Sequence, residues 1–263
     1  MATQAIPSKR IWVGYGVVFG TVFVSYALWI GALWSSGDLY DNPLVYPAKI
    51  GSHGALILMC WAILMATRAR PIERVFGGLD KVYKAHHVVG VTAFALIFLH
   101  PVFLAIAYSD TLAETLRFLW FSGSWVRNTG IIALLAFIAL TALSVFVKIA
   151  YHKWKRTHDF FGVLLALFVL HLVIADGEIM QYAILRAWHG FWIVAALVGY
   201  VYIRLLYRFI GPLFEYTIAD VREIGGRCVS RRRGKADGVG PLMRPTGEIQ
   251  SPGRGRRGEC DDR

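Results

Sequence analysis

Four of the eight histidines in this chain are spaced in a way that could do chemistry. One apolar run reads YKAHHVVGVTAFALIFLHP and carries His86, then His100 fourteen residues later. Another reads THDFFGVLLALFVLHL and carries His158, then His171 thirteen residues later. An ionisable side chain inside such a run is costly, and where one is kept it marks function. A lone imidazole is commonly a satisfied interhelical hydrogen bond, but two matched steps make two pairs. Zinc or copper gathers its ligands around one ion. Two separate histidine pairs suit instead two planar iron cofactors, each held between two imidazoles.

Such pairs need long parallel elements to carry them. Hydrophobic residues make up 56% of the chain and charged residues 17%, against about 25% charge in an ordinary globular domain. Six segments, at about 11–34, 50–67, 83–108, 126–149, 158–175 and 187–210, are apolar over the roughly 20 residues that cross a bilayer core. Strand alternation is absent, and lipid admits only helices or closed barrels. The expected fold is therefore all-α, a six-helix transmembrane bundle over residues 1–210. The first segment follows Lys9 and Arg10. It is too long for a signal-peptide core and has no small-residue cleavage site, so it reads as a retained anchor.

Cations set the expected orientation. Lys9 and Arg10 precede the first span; Arg68, Arg70, Arg74, Lys81 and Lys84 lie between the second and third. Lys148, Lys153, Lys155 and Arg156 lie between the fourth and fifth, whereas the opposite loops hold Asp38 and Asp41, Asp110 and Glu114, Asp176 and Glu178. The positive-inside rule then places both termini in the cytoplasm of a multi-pass protein of the cell membrane. The net charge of +11 is topology plus a basic tail rather than a nucleic-acid surface.

In this orientation the third and fifth spans both run outward, so His86 is level with His158 and His100 with His171. At about 1.5 Å per residue the two levels lie roughly 20 Å apart, the separation of two haems stacked along the membrane normal. Fourteen residues return to within about 40° of the starting face, but thirteen end about 140° away. The fifth span must therefore overwind, bend or aim its side chains differently at its two levels. Gly90 and Gly162 each follow an inner histidine by four, a spacing that shares a helix face, and would clear room for a porphyrin edge. His87 points about 100° from His86, towards headgroups or a propionate. His53, His152 and His189 read as structural, although His53 and His189 lie on the side where an acceptor would dock. Cys60 reads as a small hydrophobe, and Cys228 and Cys260 have no metal spacing.

Residues 211–263 form a cytoplasmic tail. FEYTIADVREIGG at 214–226 could begin a strand with a glycine turn, while the Arg- and Gly-rich stretch from Arg227 has too little apolar content to order itself.

GLDKVYKAHHVVG with its following LHP, and YHKWKRTHDFFG with its following LH, resemble the ferric reductase-like transmembrane domain family. That family includes ferric reductases and the membrane half of NADPH oxidases, and the likeness spans roughly residues 50–210. It implies two haem b groups ligated by His86, His100, His158 and His171. It further implies an inner haem fed from the cytoplasm and an outer haem that reduces a ferric chelate or oxygen. FEYTIADVREIGG looks like the first strand of the flavin- and NAD(P)H-binding module of many members. No glycine-rich dinucleotide fingerprint follows it, and RPTG at 244–247 is too little for a flavin site. FAD and NAD(P)H would then act through a separate or missing reductase module or subunit, and the chain alone should not oxidise NAD(P)H. Two other functions stay open here. One is a stand-alone haem subunit passing quinol or flavin electrons to a periplasmic partner, and the other is a haem-free helical transporter or scaffold.

Overall fold

An uncharged run in lipid must pair every backbone N–H and C=O within itself, and the α-helix does this without a partner. The computed structural model describes residues 9–40, 42–147, 150–175 and 177–206, and two strands further on. Six helical stretches are long and apolar enough to cross a membrane: Arg10–Ser36, Pro43–Ala66, Leu79–Ala107, Trp125–Val145, Tyr151–Ala175 and Ala183–Leu205. They lie in the first of two units, Met1–Gly211. This is a multi-pass integral membrane protein. Asp41, Lys148 and Asp176, three of the loop charges used above, lie outside the described residues.

The first span is a single helix, α1 (Lys9–Ser36), and the second is α2 (Tyr46–Ala66). Trp12 and Trp34, both about 70% exposed, stand near the two ends of α1. Their 22-residue separation is about 33 Å of helix, close to the thickness of a hydrocarbon core, with the indoles at the interfaces they favour. The second span has 72% of its apolar window buried, more than any other, and is the hub of the bundle. A short α3 (Arg70–Phe76) leads into the third span, and Gly77 and Gly78 at its end both have positive φ, the backbone that glycine alone adopts without strain.

The third span is broken into α4 (Leu79–Ile97) and α5 (Leu99–Ala107). Pro101 accounts for the interruption at Phe98, since it has no N–H to donate and its ring crowds the carbonyl of Ile97. After α6 (Leu112–Phe118) comes the fourth span, α7 (Trp125–Val145), whose Ser124 side chain caps it by accepting from the Arg127 N–H. The fifth span is also broken, into α8 (Tyr151–Asp159) and α9 (Phe161–Ala175). The break closes with a Phe160 N–H to Thr157 carbonyl bond of 3.1 Å, a three-residue turn that overwinds the chain as a 3₁₀ step does. The thirteen-residue mismatch in the sequence is thus met by both overwinding and a break, just past His158. The sixth span follows the short α10 (Glu178–Gln181) as α11 (Ala183–Val201) and ends in a π-helical turn, Tyr202–Leu206.

The second unit, Pro212–Arg263, contains an antiparallel hairpin of β1 (Tyr216–Ile224) and β2 (Arg227–Gly234). Ile224 pairs with Arg227, and a bulge falls between Ile218 and Asp220. The first strand covers most of the 214–226 stretch and the second covers eight residues of the Arg- and Gly-rich stretch from Arg227. RPTG at 244–247 and Cys260 lie outside the described residues.

Candidate functional site

The two histidine-bearing spans pack on different neighbours, α4 and α5 on α2, and α9 on α7 and α11. Their imidazoles reach towards each other in two tiers. The rings of His86 and His158 are 5.9 Å apart between centroids, with planes crossing at 62°. Those of His100 and His171 are 6.4 Å apart and cross at 78°. The pairing is the one that equal depth on parallel helices predicts.

Each of the four rings is tied at Nδ1. His86 Nδ1 donates to the Ala62 carbonyl at 2.9 Å, and His100 Nδ1 to the Ala48 carbonyl at 3.3 Å. Ala62 and Ala48 are fourteen residues apart on α2, which repeats in reverse the fourteen-residue step between the histidines they hold. On the fifth span, His171 Nδ1 meets Thr129 Oγ1 at 3.1 Å and His158 Nδ1 meets Ser144 Oγ at 3.2 Å, both hydroxyls being carried on α7. The Thr129 hydroxyl already donates to the Val126 carbonyl, so His171 Nδ1 must be the donor in its pair. A carbonyl, or a hydroxyl whose proton is committed, fixes the proton on Nδ1 and leaves the Nε2 lone pair free. Metal-binding imidazoles are held in this way.

The separations can be tested against a shared metal. A metal–imidazole bond of about 2 Å plus roughly 1.1 Å from nitrogen to ring centre puts two opposed rings about 6 Å apart. Both tiers fit that spacing. Around the outer tier opens a cavity of about 490 Å³, lined by His100, His171, Gly130 and apolar side chains, with Lys49 and Arg127 among its polar groups. Cofactor-sized ligands occupy sites of roughly 300–1,000 Å³. Lys49 is paired with Glu178 at 3.2 Å, and Arg127 stands over the Phe118 ring, so two cations are held where carboxylates of a cofactor could reach them. Between the tiers, Phe137 is 5% exposed and meets Phe94, Phe161 and Phe168 at 5.3–5.9 Å, filling the space with rings.

The two glycines named from spacing have different surroundings. A Cβ added at Gly90 would meet nothing within 4 Å, so no protein atom needs a glycine there. A Cβ at Gly162 would collide with the Tyr200 ring, so this glycine admits the sixth span. Two further glycines matter and were not singled out. A Cβ at Gly130 would lie 2.8 Å from His171 Cε1, and one at Gly51 would lie 2.8 Å from Leu99 Cβ and 3.2 Å from the His100 nitrogen. Gly130 lets α7 come against the His171 ring, and Gly51 lets α2 approach the break that precedes His100. Their only mark in the sequence is a glycine inside a membrane helix, a common sign of close helix approach.

The other histidines fall outside the tiers. His189 is fully buried and has both nitrogens engaged, Nδ1 donating to the Leu185 carbonyl at 2.9 Å and Nε2 accepting from the Ser25 hydroxyl at 2.8 Å. His53 is buried beside it, with ring centroids 4.9 Å apart. His87 and His152 are exposed.

No curated protein matches the chain. The family described as ferric reductase like transmembrane component matches residues 52–169, a stretch that contains His86, His100 and His158 and stops two residues short of His171. Over these residues, which include three of the four paired histidines, the chain is similar to the ferric reductase like transmembrane component family.

Proposed function

We propose that the chain carries electrons across the bilayer through two b-type haems, one held by His86 and His158 and the other by His100 and His171. The observation that carries this reading is the state of the four imidazoles. They are paired about 6 Å apart in two tiers, each is tied at Nδ1, and for His86, His100 and His171 the partner leaves Nε2 free. A haem held by two such ligands would supply a one-electron iron couple, and two imidazole ligands would favour transfer at its edge over binding of the acceptor to the metal. The side chains do the rest. The α2 carbonyls and α7 hydroxyls orient the imidazoles, and the rings around Phe137 exclude water between the tiers. Lys49 and Arg127 offer charge to carboxylates at the outer tier.

Arg68, Arg70, Arg74, Lys81, Lys84, Lys153, Lys155 and Arg156 cluster in the segments next to His86 and His158, and by the positive-inside rule that end faces the cytoplasm. Electrons then pass from a cytoplasmic reductant, such as a flavin reductase module or subunit, to a ferric chelate or oxygen outside. The test is the spectrum of the purified protein. A Soret band, two haems per chain and complete reduction by dithionite are expected. A haem-free product from haem-replete cells would defeat the proposal in favour of a transporter or scaffold.

Gly90 allows a sharper check. It follows His86 within the unbroken α4, one turn along the same face, and open space surrounds it. A Cβ there meets no protein atom, so the branched end of a leucine is what would probe the space for a cofactor. Gly90→Leu is expected to lose most of the inner haem while the outer haem and the helical content persist. Full inner-haem absorbance in Gly90→Leu would remove Gly90 from the site.

A further inference from the structure

His158 differs from the other three imidazoles in what lies against its ring. Trp154, one helical turn earlier on α8, stacks on it with centroids 4.8 Å apart and planes at 15°. Among the described residues it is the only one of the four with a ring stacked on it. Phe161 meets the same imidazole at 4.9 Å, tilted 55°, and Tyr151 stacks on Trp154 at 5.9 Å and 22°. The indole Nε1 donates to the Ser144 carbonyl at 3.1 Å, and the hydroxyl of that same Ser144 meets His158 Nδ1. One residue of α7 thus holds both the imidazole and the ring stacked on it.

The need for such a clamp follows from the hydrogen bond. A backbone carbonyl, as His86 and His100 have, constrains the direction of Nδ1–H because the carbonyl cannot turn. A serine hydroxyl rotates to follow its partner, so Ser144 secures Nδ1 without fixing the ring plane. His171 also bonds a hydroxyl, but that hydroxyl is committed to Val126, and Gly130 crowds the ring. For His158 the plane is left to the stack. It also sits two residues before the break at Phe160, where the helix has least power to hold a rotamer.

We propose that Trp154 is a positioning residue that sets the plane of the His158 imidazole, and through it the crossing angle of the inner ligand pair and the redox properties of the inner haem. The inference rests on the haem reading above. The angle between two axial imidazole planes controls how the iron d orbitals split, so it is read directly from the low-spin ferric resonance. Steeply crossed planes such as these give a strongly anisotropic signal, and loss of the fixed plane moves or broadens it.

The experiment uses the full chain carrying its haems, with Trp154→Phe and Trp154→Met. Phenylalanine keeps a stacking ring without the N–H, and methionine keeps the bulk without a plane. In Trp154→Met the inner-haem resonance is expected to shift or broaden and its midpoint potential to move, while the outer-haem signal stays fixed. Trp154→Phe is expected to restore the wild-type position and width. Loss of the inner haem in the methionine variant alone would carry the same meaning. An inner signal in Trp154→Met superimposable on wild type overturns the proposal. So does equal damage in both variants, which would make Trp154 a packing residue. Absence of haem from the wild-type protein would sink the functional reading itself, and is told apart at the first spectrum.

Discussion

Replacing either His100 or His171 with alanine is expected to reduce the haem content of the purified protein from two per chain to one, with the inner haem spectrally intact. The two tiers share no ligand and no Nδ1 partner. Ala48 and Thr129 serve the outer rings, Ala62 and Ser144 the inner ones. They lie roughly 20 Å apart along the helices, with the Phe137 cluster between them, so losing one pair leaves the other's geometry in place. The effect should be close to all or none, because a haem at that tier would be left with one of its two proposed imidazole ligands. His189→Ala is the matched control. Both of its nitrogens already have protein partners, so its removal should cost about 1–3 kcal/mol of stability for unmade buried hydrogen bonds and no haem. A haem-to-protein ratio that stays at two in a folded His171→Ala protein, or selective loss of the inner haem, would refute the assignment of the outer pair.

The partners within each tier could be read from the sequence because pairing depends only on helix direction and rise. Both are robust to local irregularity, since a kink of a few residues hardly changes depth. Facing is less robust. The rule that residues four apart share a face holds within a continuous helix, and His86 and Gly90 lie in the unbroken α4. The break at Phe160 lies between His158 and Gly162, so the rule does not carry over to Gly162, where an added Cβ would meet the Tyr200 ring. The break itself was foreshadowed by the thirteen-residue step, but its position was not. Pro101 interrupts the third span at Phe98, where the apolar run reads as one helix over 83–108. The partners on α2 and α7 were harder to see. Ala48 and Ala62 act through their backbones, which carry no side-chain signal, and Thr129 and Ser144 are ordinary residues of a membrane helix. What the hairpin shows is similar: an Arg-rich strand has no apolar period of its own, and its pairing is dictated by the strand before it.

Gly130→Leu should match the histidine substitutions in size, although glycine is no ligand. A Cβ at this position would stand 2.8 Å from His171 Cε1, 3.1 Å from Nε2 and 3.3 Å from Nδ1, so it would press on the whole ring. Real non-bonded carbons do not come that close, and the imidazole must turn or α7 must withdraw. Either movement also pulls against the neighbouring Thr129, whose hydroxyl holds Nδ1. Alanine already introduces the offending atom, and disturbing the support of a metal-bound imidazole typically costs about 10–100-fold in affinity. Gly130→Ala is therefore expected to bind the outer haem about 10–100-fold more weakly. Gly130→Leu, which adds a branched group in the same place, should be isolated with the inner haem alone. Titrating haem into the outer-depleted protein measures the alanine effect, and the haem-to-protein ratio measures the leucine effect, with the inner haem reporting that the bundle is folded. Two haems bound to Gly130→Leu at wild-type affinity would mean that His171 has another position open to it, and that α7 does not set the place of the outer ligand.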